Sequence, residues 1–260
     1  MNEYISSKSN EKIKEARKLS EKKYRLQYGL FIIEGRKLIY EYLRSGGVPQ
    51  RVFLSDDVSD RYCKLAENSG CGEIYSVPRS LYEYISTENA PEGIMAVCPI
   101  PAPGVMTDGK CVILESLRDA GNLGTVIRTA AAFGIENVVL SSDCADLYNP
   151  KTLRAAMGAV FFANTVIEDD LTAFAEILKK NGRRVFASVP SDDALDVRCA
   201  GLRSDDCLVI GNEGNGISAA LAEHCTGKLT IPMSGGAESL NASAAASVLM
   251  WELVRGGDLR

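Results

Sequence analysis

The chain has 260 residues, of which 46% are hydrophobic and 24% charged, and its formal net charge is −5. These proportions are typical of a globular protein and exclude a collagen-like, coiled-coil or wholly disordered chain. No apolar run reaches the roughly 18 residues of a membrane-spanning helix, and the charged amino-terminal stretch lacks the apolar core of a secretory signal. We therefore expect a cytoplasmic protein that does not contact a membrane.

Three prolines, Pro99, Pro101 and Pro103, mark a break in the chain, because proline at this density prevents a helix and favours an extended linker. Before the break, short apolar runs alternate with helical patterns. The patterns predict strands at residues 28–35, 51–57, 71–78 and 93–99, and helices at 36–46, 58–69 and up to about 86. We expect a small α/β domain that, with its linker, covers residues 1–104.

Residues 105–260 repeat the alternation with longer apolar strands. The predicted strands are residues 111–116, 137–142, 164–169, 183–190, 207–212 and 228–233. The predicted helices are residues 122–133, 149–160, 171–182, 218–223 and 239–254, and Asn149 with Pro150 is a typical helix start. Apolar runs without alternation suit parallel strands covered on both faces, so we expect a second α/β domain with a parallel sheet.

The charges are unevenly distributed along the chain. Residues 1–40 hold ten Lys and Arg against five Asp and Glu, whereas the remainder is acidic. A basic segment on an acidic body can dock on the phosphates of a nucleic acid. The charges alone leave open the alternative of a solvated amphipathic helix with ion pairs along one face.

The eight cysteines form no Cys-x-x-Cys pair, and His224 is the only histidine. A structural zinc site needs four ligands at short spacings. We therefore expect no metal site, and reduced cysteines in a reducing cytosol.

Three polar or glycine-rich loops follow predicted strands, at the sheet edge where open α/β folds bind ligands. They span residues 115–128, 210–216 and 231–241. Taken singly, each has an ordinary structural explanation, since Asn122 and Ser239 can cap helices and the glycines can serve tight turns. The glycine spacing is not the dinucleotide-binding order, no phosphate-loop lysine is present, and the single histidine offers no Ser–His–Asp set.

Taken together and in this order, the loops resemble the SpoU (TrmH-like) RNA ribose 2′-O-methyltransferases of the SPOUT superfamily. The resemblance is carried by RDAGNLGTVIRTAAAFGIENVVLS, LVIGNEGNGIS and IPMSGGAESLNASAAASVLMWEL, over residues 111–255. FIIEGRKLIYEYLRSG resembles the ribosomal-protein-L30e-like substrate-binding domain that precedes the catalytic domain in rRNA-modifying members. The resemblance implies an α/β chain in which residues 105–260 form a parallel-sheet catalytic domain with a deep trefoil knot.

The resemblance also implies S-adenosylmethionine as the cofactor, held by the second and third loops. The cofactor-binding positions it implies are Leu140, Ser141, Gly211, Asn212, Gly216, Ile231, Met233, Leu240 and Asn241. The catalytic positions it implies are Arg128, Asn122, Glu213, Ser239 and Asn241.

By resemblance, Arg128 matches the family arginine assigned to activate the ribose hydroxyl. A guanidinium resists deprotonation, so we favour a role in binding the adjacent phosphate and stabilising negative charge over the role of a base. Asn122 would orient the arginine or the ribose, and Glu213 would hold the loops and a subunit interface. Ser239 and Asn241 would line the methyl-transfer pocket.

The family is typically homodimeric, with each site completed at the interface, and needs no metal. The resemblance therefore predicts an S-adenosylmethionine-dependent RNA ribose 2′-O-methyltransferase. Ribosomal RNA is the expected substrate, because tRNA-specific relatives often lack the first domain. Two alternatives stay open: a tRNA methyltransferase, and a non-catalytic knotted protein that binds RNA or assists ribosome assembly.

Overall fold

A computed structural model describes residues 3–191, 193–235 and 239–255. The elements up to Pro99 are, in chain order, β1 (Glu3–Tyr4), α1 (Glu11–Lys18), α2 (Lys22–Tyr28), β2 (Leu30–Glu34), α3 (Arg36–Arg44), β3 (Arg51–Ser55), α4 (Asp60–Glu67), β4 (Ile74–Val77), α5 (Arg79–Ile85) and β5 (Ile94–Pro99).

The later elements are β6 (Cys111–Leu114), α6 (Ala120–Ala132), β7 (Asn137–Ser141), α7 (Pro150–Ala156), β8 (Asn164–Glu168), α8 (Leu171–Lys180), β9 (Val185–Ser188), β10 (Leu195–Asp196), β11 (Cys207–Ile210), α9 (Ala219–His224), β12 (Gly227–Thr230) and α10 (Ala242–Arg255). Each predicted strand and helix has a counterpart among them, whereas β1, α1, α2 and β10 have no counterpart among the predicted elements. Within the described ranges, no helix has the length and apolar character to cross a membrane.

The chain divides into two compact units. The first contains the chain up to Ala102 together with Asp146–Phe161, and the second contains Pro103–Ala145 and the chain from Phe162 onward. The predicted boundary at residues 104 and 105 lies close to the division after Ala102. The sequence pattern did not predict that Asp146–Phe161 belongs to the first unit.

The first unit is built on a mixed sheet in the order β1-β4-β3-β5-β2, in which β5 runs antiparallel to both of its neighbours. From Glu3 onward, the basic amino-terminal segment folds as part of this unit. Asn10 caps α1 by accepting a hydrogen bond from the Lys12 amide at 2.9 Å. The apolar side of α1 places Ile13 and Ala16 in one buried cluster with Phe53 of the sheet. Burial of this side leaves the basic side of α1 in solvent.

Residues 146–161 join the first unit through a buried ion pair and aromatic contacts. Arg25, only 2% exposed, donates to the Asp146 carboxylate at 2.6 Å. The Phe31 ring packs on the ring of Tyr148, with centroids 4.6 Å apart. The helix predicted at 149–160 ends earlier, as α7 at Ala156, because Met157 adopts a positive φ of 52°.

The second unit contains a seven-stranded sheet in the order β10-β12-β9-β11-β6-β7-β8, and every pairing in it is parallel. This confirms the predicted parallel sheet. The chain passes from β6 to β7 and β8 on one side and then continues on the other side of β6. Ligands of open α/β sheets bind where the strand order reverses in this way.

Candidate functional site

A cleft of about 370 Å³ opens where β9, β11 and β12 end. Its volume lies in the range of pockets that hold small molecules and cofactors. It is lined by Ser188, Val189, Pro190, Ile210, Gly211, Asn212, Glu213, Gly214, Asn215, Gly216, Ile217, Thr230, Ile231, Met233, Ser239, Leu240, Ala242 and Ala245. The second and third predicted loops thus supply most of its wall.

The second loop folds back on itself after β11. The main chains of Asn212 and Gly216 exchange two hydrogen bonds, at 3.0 and 2.9 Å. A Cβ atom on Gly211 would lie 2.2 Å from the carbonyl carbon of Gly216, so only glycine allows this approach. The Asn212 side chain accepts from the Gly214 amide at 2.8 Å and donates to the carbonyl oxygen of Ser116 at 2.7 Å. The loop is therefore held from within and also by the first loop.

Asn122 connects all three loops. The backbone amide of Asn122 donates to the carboxylate of Asp119, the N-cap residue of α6, at 2.8 Å. Its side-chain Nδ2 donates to Glu213 Oε1 at 2.8 Å, and its Oδ1 accepts from Asn241 Nδ2 at 3.2 Å. The carboxylate of Glu213 accepts only, so this bond orients the Asn122 amide with its oxygen toward Asn241.

The third loop leads from the cleft into α10. The Asn241 side chain accepts from the amide and the hydroxyl of Ser243 at 2.9 and 2.6 Å, which satisfies the start of the helix. Met233 and Leu240 are 39% and 41% exposed and line the cleft with apolar surface. Residues 236–238 of this predicted loop lie outside the described residues.

Two family models of known proteins match most of the chain. A family model described as the SpoU rRNA methylase family matches residues 109–251. The chain belongs to the SpoU rRNA methylase family. A second model, an MRM3-like substrate binding domain, matches residues 10–96. Both findings confirm the predicted family and its two-part organisation.

Curated and solved relatives align over nearly the full length. The 23S rRNA (guanosine(2553)-2′-O)-methyltransferase RlmP of Bacillus subtilis is 34% identical over 96% of this chain and 98% of its own. The AdoMet-bound rRNA methyltransferase from Sinorhizobium meliloti has a TM-score of 0.86 at 27% identity, over 98% of both chains. The SpoU methyltransferase AviRb from Streptomyces viridochromogenes, in complex with AdoMet, has a TM-score of 0.86 at 25% identity, over 95% of this chain and 98% of that one.

Arg128, the arginine predicted to act in catalysis, lies on α6 and is exposed to solvent. It forms no ion pair or hydrogen bond with the residues that the structure describes. One residue further along α6, the Thr129 hydroxyl lies 3.4 Å from that of Ser247 in α10. Among the described residues, therefore, none neutralises the guanidinium charge of Arg128 through an ion pair.

The structure brings most of the predicted site residues to the cleft. Those that line it are Gly211, Asn212, Glu213, Gly216, Ile231, Met233, Ser239 and Leu240. Asn122 and Asn241 do not line it but are joined to Glu213 by the hydrogen bonds described above.

Two predicted cofactor-binding residues lie elsewhere. Leu140 is 1% exposed inside β7, and its neighbour Ser141 accepts from the amide of Ser116 at 2.8 Å and donates to Asp143 at 2.6 Å. Neither belongs to the cleft lining, so the geometry gives these two assignments no support. Ser141 instead holds the first loop against β7.

Asp143 also holds the first loop against β7, through hydrogen bonds with Ser116 and Ser141. Hydrogen bonds from Ser116 and Ser141, together with the nearby Arg118 guanidinium, hold the pKa of the Asp143 carboxyl below its ordinary value. Ser116 has a positive φ of 54°, which brings its hydroxyl to within 2.6 Å of the carboxylate. An ionised Asp143 therefore stabilises the left-handed turn with which the first loop begins.

One part of the cleft was not predicted from the sequence. Ser188, the last residue of β9, and the two residues after it, Val189 and Pro190, line this part. The available signal was their place at the end of a predicted buried parallel strand, at the same sheet edge as the loops that were singled out. Among the described residues, no cluster of His, Cys, Asp and Glu is placed to hold a metal ion.

Proposed function

We propose that this protein transfers a methyl group from S-adenosylmethionine to a ribose 2′-hydroxyl of ribosomal RNA. The observation that carries the proposal is the hydrogen-bonded junction of Glu213, Asn122 and Asn241, which joins the three family loops beside a cleft of cofactor size. In this proposal residues 105–260 perform the methyl transfer and residues 1–104 bind the RNA.

The cleft fits the proposed methyl donor. Exposed apolar side chains, Met233 and Leu240, offer surface to a flat purine base. The tight glycine loop at Gly211 presents main chain rather than side chains, which suits hydrogen bonding to a nucleoside. When bound, the donor supplies a methyl group on a sulfonium leaving group. The cofactor-binding positions on the second and third loops therefore stay part of the proposal.

Arg128 is assigned to the RNA side of the reaction. The attacking 2′-oxygen must lose its proton as the new carbon–oxygen bond forms, and negative charge develops on it. A guanidinium that no described residue engages can bind the neighbouring phosphate and stabilise that charge. Alignment of the two reactants supplies much of the remaining acceleration.

Ribosomal RNA is favoured over transfer RNA by the first unit. The matched substrate-binding model covers residues 10–96, and the Bacillus subtilis relative, named as a 23S rRNA enzyme, aligns with nearly the whole chain. We also propose a cytoplasmic location, because the Bacillus subtilis relative is a bacterial enzyme and bacterial ribosomal RNA is made in the cytoplasm.

We propose that the protein is a homodimer through the second unit. On α10 the side chains of Ala244, Val248 and Trp251 are exposed at helical spacing along one face, with Val248 39% and Trp251 44% exposed. The Trp251 ring lies 5.7 Å from the ring of Phe133, at an interplanar angle of 53°. Phe133 is the C-cap of α6, the helix that carries Arg128. An exposed apolar face of this kind is typical of a protein interface. Replacing Trp251 with Arg should give monomers in analytical ultracentrifugation; an unchanged sedimentation coefficient would argue against this interface.

Transfer of labelled methyl groups tests the main proposal. The full chain is incubated with methyl-labelled S-adenosylmethionine and ribosomal or transfer RNA from cells that lack the protein. We expect alkali-resistant label, diagnostic of ribose methylation, in ribosomal RNA. Label confined to transfer RNA would favour the tRNA alternative. Donor binding without incorporation into either RNA would favour the non-catalytic one.

A further inference from the structure

A cationic and aromatic surface lies on the first unit, away from its buried side. We name it the α1–α2 face; it consists of Lys8, Arg17, Lys18, Lys22, Lys23, Tyr24 and Tyr84. Its five cations are exposed and form no ion pair with any described residue. Elsewhere in this unit Arg25, Arg51 and Arg154 are all paired with acids.

The cations of this face are arranged around two tyrosine rings. The Lys8 Nζ lies 4.5 Å from the centre of the Tyr84 ring, and the Arg17 guanidinium carbon lies 5.3 Å from it. Lys18 and Lys23 flank the Tyr24 ring in the same way, at 5.3 and 5.5 Å. Arg17 and Lys18 are the last two residues of α1, so the two clusters meet at the end of this helix.

The acids near this face do not neutralise it. Glu11 is bonded to Lys14 at 2.7 Å, and Glu83 of α5 is bonded to Arg79 at 2.8 Å. Glu21, which precedes α2, is the exposed acid between Lys18 and Lys22. Five cations against one such acid leave a net positive surface on a protein whose total charge is −5.

We propose that the α1–α2 face binds unpaired RNA, with bases stacked on Tyr84 and Tyr24 and phosphates bound by the surrounding cations. Aromatic rings within a positive surface are the usual means of binding single strands, because every base has a face to stack while duplex bases are already stacked. The proposal rests on the proposed function, and it specifies the RNA as a loop or other single-stranded segment near the target.

Binding of labelled oligouridylate by the full-length protein tests the surface, with the oligouridylate–oligoadenylate duplex as the comparison. We expect the single strand to bind more tightly than the duplex. Replacing Lys18 and Lys23 together with Gln should weaken single-strand binding roughly tenfold. It should also make the slope of log K against log salt shallower by about 1.4, since each of the two lost phosphate contacts contributes about 0.7. The matched control replaces Lys64 and Lys180, two exposed lysines outside the face, and should change neither quantity.

Variants of Tyr84 separate stacking from charge. Tyr84→Phe keeps the ring and should bind like the parent, whereas Tyr84→Leu keeps apolar bulk without a π face and should bind several-fold more weakly. Thermal unfolding identifies any variant that has lost its fold. Equal loss in both double-lysine variants, equal binding of duplex, or equal affinities of the Phe and Leu variants would each overturn the proposal. Lysine-dependent binding to phosphatidylglycerol vesicles without RNA binding would overturn it as well.

Methyl transfer to ribosomal RNA distinguishes this inference from the proposed function. The Lys18/Lys23 variant should raise KM for RNA roughly tenfold and leave kcat unchanged, because it acts on binding alone. Normal methyl transfer with an unchanged KM would reject the surface and keep the function. The expected oligouridylate results with no methyl transfer by the parent protein would keep the surface and reject the function.

Discussion

Asn122 and Glu213 lie 91 residues apart in the chain, yet the side-chain amide of one donates to the carboxylate of the other at 2.8 Å. Because the same Asn122 accepts from Asn241, this bond determines which way the amide points and therefore where the third loop is held. This hydrogen bond can be tested directly, because substitutions can exchange the donor and the acceptor between Asn122 and Glu213.

Asn122→Asp should place two carboxylates against each other and lower kcat at least tenfold, since like charges at this distance repel and the donor is lost. The double variant Asn122→Asp with Glu213→Gln restores one donor and one acceptor and still lets Asn241 donate. We expect it to recover much of the methyl-transfer rate that the single variant loses. A double variant no better than either single variant would show that the bond itself does not position the loops.

Arg128→Ala should leave donor affinity and the unfolding temperature close to those of the parent, because the side chain is exposed and unengaged by described residues. Methyl transfer should fall by about 100-fold or more, as expected for loss of a group that stabilises developing charge. Isothermal titration calorimetry with S-adenosylmethionine and a single-turnover assay measure the two effects. An unaltered rate would remove Arg128 from the mechanism.

Arg128→Lys separates the two roles considered for this side chain. If Arg128 acts as a stabilising charge, the lysine variant should keep part of the activity and the shape of the pH–rate profile. As a base, it would shift the rising limb of that profile, because the pKa of an ammonium group is lower than that of a guanidinium.

Gly211→Ala should abolish donor binding and destabilise the protein by about 1–3 kcal/mol, because the added Cβ would lie 2.2 Å from the Gly216 main chain. Gly214→Ala is the matched control in the same loop, where the nearest atom, Asn212 Oδ1, is 3.4 Å away. We expect that variant to bind the donor normally. Calorimetry measures the donor affinity and chemical unfolding measures the stability of both variants. Equal affinities and equal stabilities would contradict the close approach of Gly211 to the Gly216 main chain.

Arg25→Met should destabilise the first unit by about 3 kcal/mol, because it leaves the Asp146 carboxylate, 13% exposed, without its partner. The control is Arg198→Met, which breaks an exposed pair with Asp196 and should cost less than about 1 kcal/mol. Urea unfolding of the full chain compares the two. Equal losses would mean that the buried pair contributes no more than a surface pair.

The spacing of apolar residues and the positions of proline and glycine predicted most of the fold. Uninterrupted apolar runs such as residues 207–210 are buried parallel strands, as expected, and the prolines from Pro99 to Pro103 lie at the division between the units. The end of α7 was not predicted, since Met157 has no local signal for a positive φ. Met157 lies in Asp146–Phe161, the segment whose place in the first unit was also not predicted.

The site divides in a similar way. The glycine loop at residues 210–216 and the cleft residues Met233 and Leu240 could be found from motif order. The sequence could not decide whether Leu140 and Ser141 line the cleft. A residue at the end of a strand reaches the cleft only if the neighbouring strands place it there, and the sequence does not give their order. Ser188, Val189 and Pro190 were missed for the same reason.

By itself the amino-acid sequence determined the alternation of strands and helices, the positions of the three loops and the family to which they belong, because these depend on residues close together in the chain. Only the tertiary structure decided which loops meet. The contacts of Asn122 with Glu213 and Asn241, and of Arg25 with Asp146, join residues about a hundred positions apart, and no local pattern encodes such a distance.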